Sequence, residues 1–275
     1  MRQTTRRIAI FFCATLCLAV LSSLAEAQTY SILYNFSGAC GGNFALGGAT
    51  LDQSGRIYGT TYSGGAYGGG AVYRLAHEGE GWICSPVYNF GSQNHDGSNP
   101  TAGVVIGPDG LLYGTTTEGG SGYGTVFRLQ PRPNSCAGAM CPWNETILYA
   151  FGNGADGGYP GYGKLTFDSA GNIYGTTNGG GSRGYGVVFK LTRSGGGWTE
   201  SVIWDFANGG GDSPLSGVIF DNAGNLYGTT PQAVYELSPT QSGWIETTLS
   251  TTVGGAGGLI WDANGNLFGI TGDAV

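Results

Sequence analysis

The stretch "GNIYGTTNGGG", residues 171–181, is written again as "GRIYGTTYSGG" from Gly55, "GLLYGTTTEGG" from Gly110, "GNLYGTTPQ" from Gly224 and "GNLFGIT" from Gly265. The shared aromatic falls at Tyr58, Tyr113, Tyr174, Tyr227 and Phe268. Spacings of roughly 40–60 residues mark a repeat architecture, so the copies are aligned before anything else is read. Each copy then shows short runs of strand character. The first run is "GATLD", "GVVIG", "KLTFD", "GVIFD" or "GLIWD". The second is the aromatic-Gly-Thr-Thr run itself. The third is "AVYRL", "TVFRL", "VVFKL" or "AVYEL", and the fourth is "WICSPVYNF", "WNETILYAF", "WTESVIWDF" or "WIETTLS". Four short strands per repeat, arranged radially, describe an all-β β-propeller.

Between the first two runs stand "DQSG", "DSAG", "DNAG" and "DANG". An aspartate that accepts bonds from its own turn, followed by a glycine free to take positive φ, makes a tight hairpin. Asp52, Asp168, Asp221 and Asp262 are therefore expected to cap turns, since one carboxylate per hairpin supplies too few ligands for calcium. In the second run Tyr58 and Thr60 face one way and Gly59 and Thr61 the other. Both sides of a blade meet neighbouring blades, and a mid-strand glycine implies close approach of another group. The expectation is that an aromatic ring from the adjacent blade sits on each Gly59-type position. The candidates are the Tyr58-type tyrosines or the tryptophans opening the fourth run, Trp82, Trp143, Trp198 and Trp244.

The long pattern D-x-x-G-N-[LI]-Y-G-T-T-x-x-G-G, followed by G-[TV]-V-F-[RK]-L and W-T-E-[ST]-V, resembles the GloVer-type tandem repeat of secreted bacterial proteins. It covers residues 30–271. The resemblance implies a secreted propeller, no activity common to the family, and varied C-terminal surface anchors. The sequence departs from it after "GITGDAV", where no anchor or sorting tail is read, so tethering is not expected from these residues.

Residues 1–27 stand apart from the repeats. "MRQTTRR" precedes the apolar run "IAIFFCATLCLAVL", and small residues at Ala25 and Ala27 suit cleavage after Ala27. This reads as a secretory signal peptide whose apolar run, about 14 residues, is too short for a membrane span. Arg6 and Arg7 lack the context of a twin-arginine signal, and neither Cys13 nor Cys17 precedes a mature lipoprotein start. The remainder, 28–275, is expected to form one repeat domain. Its units run at about 48–90, 102–151, 161–206 and 215–250, with a partial unit at 257–275. "SILYNF", 31–36, matches the end of the fourth run and is expected to complete the last blade, closing a five-bladed ring.

Glycine makes up 55 of 275 residues, yet 16 Tyr, 12 Phe and 6 Trp argue against disorder. The net charge is −7, which argues against nucleic acid or an anionic membrane as partner. Beyond the leader lie Cys40, Cys84, Cys136 and Cys141. In an oxidising compartment Cys136–Cys141 is the local pair and Cys40–Cys84 follows by elimination. No metal site or cofactor is expected, because only His77 and His95 could join the cysteines around zinc.

Topology puts the second-to-third loops and the blade-to-blade loops on one face. There lie Tyr67, Tyr123 and Tyr185 on glycine-rich loops, with Glu118 and Arg183, and Asp96, Asp156 and Asp212 on the blade-to-blade loops. Tyrosine faces stack on sugar rings and carboxylates accept sugar hydroxyls, so these six tyrosines and aspartates are the candidate ligand site. Turn capping and loop packing would account for the same residues. No acid stands in the first runs, and His77 and His95 fall on opposite faces, which leaves little for catalysis. The leading expectation is a secreted, non-catalytic binding or surface-interaction module for extracellular glycan or a cell-surface component. The alternatives are a carbohydrate-active hydrolase or lyase using loop carboxylates, and a purely structural extracellular protein.

Overall fold

A computed structural model of the chain describes residues 30–36, 40–132, 143–206, 213–251 and 257–270. The signal-peptide reading, Cys136–Cys141 and Asp212 lie outside them. The chain divides into two units, Met1–Asn35 and Phe36–Val275. In the first, residues 30–35 are described without a strand.

The second unit is built of antiparallel sheets. Blade one contains β1 (Thr50–Leu51), β2 (Ile57–Thr61), β3 (Ala71–Glu78) and β4 (Gly81–Asn89), paired in that order. A short strand, β5 (Gly97–Ser98), leads into blade two. That blade orders β6 (Val105–Ile106), β7 (Leu112–Thr116), β9 (Thr125–Gln130) and β10 (Asn144–Ala150). Between β7 and β9, β8 (Glu118–Gly119) pairs with β5 and ties a glycine-rich loop to the blade-to-blade connection. Blade three comprises β11 (Thr166–Phe167), β12 (Ile173–Thr176), β13 (Val187–Ser194) and β14 (Gly197–Asp205). Blade four comprises β15 (Ile219–Phe220), β16 (Leu226–Thr229), β17 (Val234–Thr240) and β18 (Gly243–Ser250). A fifth sheet has two described strands, β19 (Ile260–Trp261) and β20 (Leu267–Phe268). The four-stranded repeat unit thus stands as the sequence pattern predicts.

The first hairpins are capped as expected. Asp168 Oδ1 accepts from the backbone N–H of Ala170 and Asn172, and Asp52, Asp221 and Asp262 repeat the arrangement. The motif tyrosine adds to it, because Tyr174 and Tyr227 each donate their hydroxyl to Oδ2 of their own hairpin aspartate at 3.1 Å. The rings themselves are buried against the next blade. Tyr113 meets Phe167 at 5.1 Å, Tyr174 meets Phe220 at 5.0 Å and Tyr227 meets Trp261 at 5.0 Å, each edge to face. Such a pair adds about 0.5–1.5 kcal/mol beyond the apolar area it buries.

The motif glycine has a different partner from the one expected. A Cβ on Gly59 would lie 2.3 Å from the Tyr73 hydroxyl, and on Gly114, Gly175 or Gly228 it would strike Phe127, Phe189 or Tyr235. All four rings come from the third strand of the same blade, directly across the ladder from the glycine. The adjacent-blade tyrosine and tryptophan reading is therefore corrected. The physical reason is register: the third-strand aromatic faces the bare backbone and lies flat on it, leaving its edge free for the neighbouring blade. Phe90 of blade one meets Phe127 of blade two at 5.0 Å, Phe151 meets Phe189 at 5.2 Å and Phe206 meets Tyr235 at 5.3 Å.

The two threonines complete the motif. Thr60 and Thr176 donate to the backbone carbonyls of Ala102 and Ser216 in the next blade. Thr61 and Thr177 accept the first N–H of their own third strand, from Ala71 and Val187. Three core clusters span consecutive blades, one to two, two to three and three to four. Cys40 and Cys84 are disulfide-bonded, with Cα atoms 5.7 Å apart, in agreement with the pairing by elimination.

Candidate functional site: the central cavity and the loop face

The first strands converge on a cavity of about 370 Å³. Glycines recur in its wall, because the position four residues before each hairpin aspartate, or before Gly107 in blade two, is Gly48, Gly103, Gly217 or Gly258. In blade three that position is Lys164. The side chain crosses to blade one, where Nζ donates to the Ala49 carbonyl at 2.8 Å and to Thr50 Oγ1 at 3.0 Å. The glycines give it room: a Cβ on Gly103 would lie 2.9 Å from Lys164 Cε. Burial lowers the pKa of the Lys164 ammonium from its ordinary value, and among the described residues of the cavity wall there is no carboxylate. Tyr162, Leu46 and Ile260 are exposed and stand in the same wall, so the cavity is an apolar, hydroxyl-bearing mouth around one cation.

The sequence-predicted residues divide into two groups. Tyr67 is 61% exposed and Tyr185 is 38% exposed, so both present ring surface to solvent. Tyr123 is half-buried, set edge to face on Tyr159 at 5.6 Å. The aspartates are engaged within their turns. Asp96 is buried, and its Oδ2 accepts the N–H groups of Gly91 and Ser92 while Oδ1 accepts the Tyr88 hydroxyl. Asp156 accepts from the N–H of Gly152 and Gly154 and from the Tyr149 hydroxyl.

Two further carboxyls escaped the sequence reading. Tyr88 Oη lies 3.3 Å from Glu145 Oε2 as well as 3.2 Å from Asp96 Oδ1. Burial, then the negative charge of Asp96, pushes the Glu145 carboxyl up to about 8. One blade on, burial and Asp156 push Glu200 up to about 7. The signal was the glutamate recurring in "WNE", "WTE" and "WIE". The signal for Lys164 was its departure from a glycine otherwise kept in every blade. A lone break in a repeat marks a residue the scaffold does not require. Among the described residues no three His, Cys, Asp or Glu side chains converge on a metal position.

The repeat decoded above is matched by the model of the Gloeobacter/Verrucomicrobia repeat over residues 19–160. The chain belongs to this family. No curated protein matches it. Among solved structures, this repeat-family chain is similar to a Thermus thermophilus protein described as an oxidoreductase (glucose dehydrogenase). The two share 18% identity and a TM-score of 0.55, covering 90% of this chain and 83% of that one. A PQQ-bound aldose sugar dehydrogenase from Streptomyces coelicolor shows 14% identity and a TM-score of 0.53, covering 85% and 76%. A gluconolactonase from Xanthomonas campestris shows 14% identity and a TM-score of 0.52, covering 82% and 68%. At these identities the likeness shows the fold, that of a β-propeller.

Proposed function

We propose that this repeat-family protein is an exported, five-bladed, non-catalytic propeller that binds sugar at the loop-side mouth of its central cavity. Lys164 and Tyr162 hold the ligand there, and Tyr67, Tyr123 and Tyr185 offer further stacking surfaces. The carrying observation is the repeat-breaking cation Lys164, half-buried in a cavity whose described wall residues include several glycines and no carboxylate. A hydrolase needs two carboxyls about 5–10 Å apart across the bond it breaks. An ammonium with hydroxyls and apolar surface suits binding of hydroxyl-rich or carboxylate-bearing rings instead. Solved propellers of like fold carry the names glucose dehydrogenase and gluconolactonase, which supports sugar as the ligand class.

Five blades are supported by Phe36. It lies 4.6 Å from Tyr73 of blade one, the place that Phe90, Phe151 and Phe206 take on blades two to four. Phe36 therefore stands where the last residue of a preceding blade belongs. Export is supported by the leader-like residues 1–27 and by the Cys40–Cys84 disulfide.

The second reading, a hydrolase or lyase, is favoured by the Asp96–Tyr88–Glu145 contact, which joins a carboxyl whose pKa burial raises to about 8 to a second one. The same trio recurs as Asp156, Tyr149 and Glu200 in the next blade, and recurrence speaks for scaffold. A glycan array that includes uronate polymers tests both readings. Binding weakened at least tenfold by Lys164→Met and by the Tyr123→Ala, Tyr185→Ala pair supports the first. Polysaccharide turnover abolished by Glu145→Gln or Asp156→Asn supports the second. No response in either assay leaves a structural role.

A further inference from the structure

We propose that the groove between blades two and three holds a tetrahedral oxyanion, a sulfate or phosphate group, between the guanidinium groups of Arg128 and Arg193. Register places the first of them. Across blade two the ladder aligns Val105, Tyr113, Arg128 and Thr146 in one row. Residues opposite each other on neighbouring strands lie on the same side of a sheet. Tyr113 meets Phe167 of blade three, so the whole row, Arg128 included, faces blade three. Rows of the same kind run through Tyr58, Arg74 and Ser85 in blade one and through Tyr174, Lys190 and Ser201 in blade three. A cation on this face therefore belongs to the repeat, although blade four has Glu236 in its place.

The second cation is not part of the repeat. The third residue after each of these positions is His77, Pro131, Arg193 or Pro239. Arg193 pairs with Trp198 across its hairpin, and its guanidinium lies over the indole, 5.4 Å from the ring centroid. Trp198 in turn packs on the core cluster that joins blades two and three. Arg128 from one blade and Arg193 from the next thus line one cavity of about 530 Å³. The same positions pair Arg74 with Pro131 between blades one and two, and Lys190 with Pro239 between blades three and four. Two guanidiniums face each other at the middle junction.

The charge in this cavity has one sign. Among the described wall residues the charged side chains are Arg128 and Arg193, and Thr146 and Ser194 add hydroxyls. No carboxylate lies within 4 Å of either guanidinium among the described residues, and residues 133–142, which lie outside them, contain no aspartate or glutamate. The Arg128 Nε is buried and has no acceptor. The nearby acids are set elsewhere. Asp109 accepts the Tyr113 hydroxyl at 2.7 Å, and Glu200, on the same side of β14 as Trp198, stands outside the wall. A buried N–H without an acceptor costs free energy, and a guanidinium presents a planar fork of donors that matches sulfate and phosphate oxygens. Donors reaching in from two blades suit the oxygens of a tetrahedral anion better than a flat carboxylate. Gly195 and Gly196 leave the mouth open, since a Cβ on either would meet nothing within 4 Å. The cavity shares no wall residue with that of Lys164, so the anion site stands independently of the sugar reading.

The test is isothermal titration calorimetry of the full chain with sodium sulfate and with sodium phosphate in a low-salt buffer. The expected result is saturable binding that weakens at least tenfold in Arg193→Ala, which removes an exposed side chain, and in Arg128→Gln. Arg183→Ala removes an exposed cation on the loop face and should leave the affinity unchanged. No saturable heat with either anion overturns the proposal. So does an equal loss in Arg183→Ala and Arg193→Ala, because net charge alone would then be responsible. Glucose 6-sulfate, titrated beside inorganic sulfate, distinguishes the source of the group: tighter binding of the ester supports an anion carried on a larger molecule, and equal or weaker binding supports the free ion. If Arg128→Gln lowers Tm, the Arg193→Ala titration still decides.

Discussion

Replacing Phe189 by alanine probes the contact on which every blade depends. Phe189 is fully buried, lies across Gly175 of its own sheet and meets Phe151 of the preceding blade at 5.2 Å. Truncating a buried phenylalanine costs about 3–5 kcal/mol through lost transfer energy and the cavity left behind. For a chain of this size each kcal/mol moves Tm by about 2–4 °C, so the midpoint should fall by roughly 6–20 °C. Gly175→Ala attacks the same contact from the other side. Its Cβ would sit 2.5 Å from Phe189 Cζ, and such overpacking costs about 1–3 kcal/mol, partly offset by the lower chain entropy of alanine. The double variant is the decisive one. With the ring gone, the methyl group occupies part of the vacated space, so the two costs should fall short of additive by about 1–2 kcal/mol. Urea unfolding of the four proteins, followed by tryptophan fluorescence, measures the cycle. Strict additivity, or a gain in stability from Gly175→Ala alone, refutes the claim that the ring holds that glycine in place.

Stability should also depend on pH with a sign set by two kinds of carboxyl. The Glu145 and Glu200 carboxyls, raised to about 8 and about 7 chiefly by burial, keep protons that the unfolded chain loses near 4.5. The native state therefore binds more protons in that window, and Tm should fall as pH rises from 5 to 8. Glu145→Gln with Glu200→Gln should flatten the fall, and an unchanged slope would contradict the assignment. At the acid end burial opposes ionisation of Asp168 and Asp221, but the hydrogen bonds that both carboxylates accept outweigh it and hold both below 3.8. Their contribution is present at neutral pH and lost as pH drops below about 4, which an acid titration of Tm would reveal. Cys84→Ser should lower stability by about 2–4 kcal/mol, and reductant should do the same to the parent but not to the variant. Tyr174→Phe should cost only about 0.5–1.5 kcal/mol, since it removes the bond to Asp168 and keeps the ring against Phe220; a larger loss in calorimetry would mean the hydroxyl does more than tie the hairpin.

Much of this architecture was legible in the chain itself, because its determinants are local and repeated. The hairpins follow from an aspartate and a glycine at fixed offset, and the four-strand unit from aromatic and β-branched runs that recur with them. The Cys40–Cys84 bond followed from counting. Which ring covers the motif glycine was not legible, because strands two and three are joined by loops of unequal length, and register across them is set by pairing. The roles of Asp96 and Asp156 also emerged only when the turns closed around them and consumed their oxygens. Glu145 and Lys164 illustrate the same boundary. Their residue types stood in plain sight, but burial beside Asp96, or reach across the central cavity to blade one, exists only where distant blades meet. Periodicity along a chain dictates what each wedge is; the meeting of wedges decides what each charge feels.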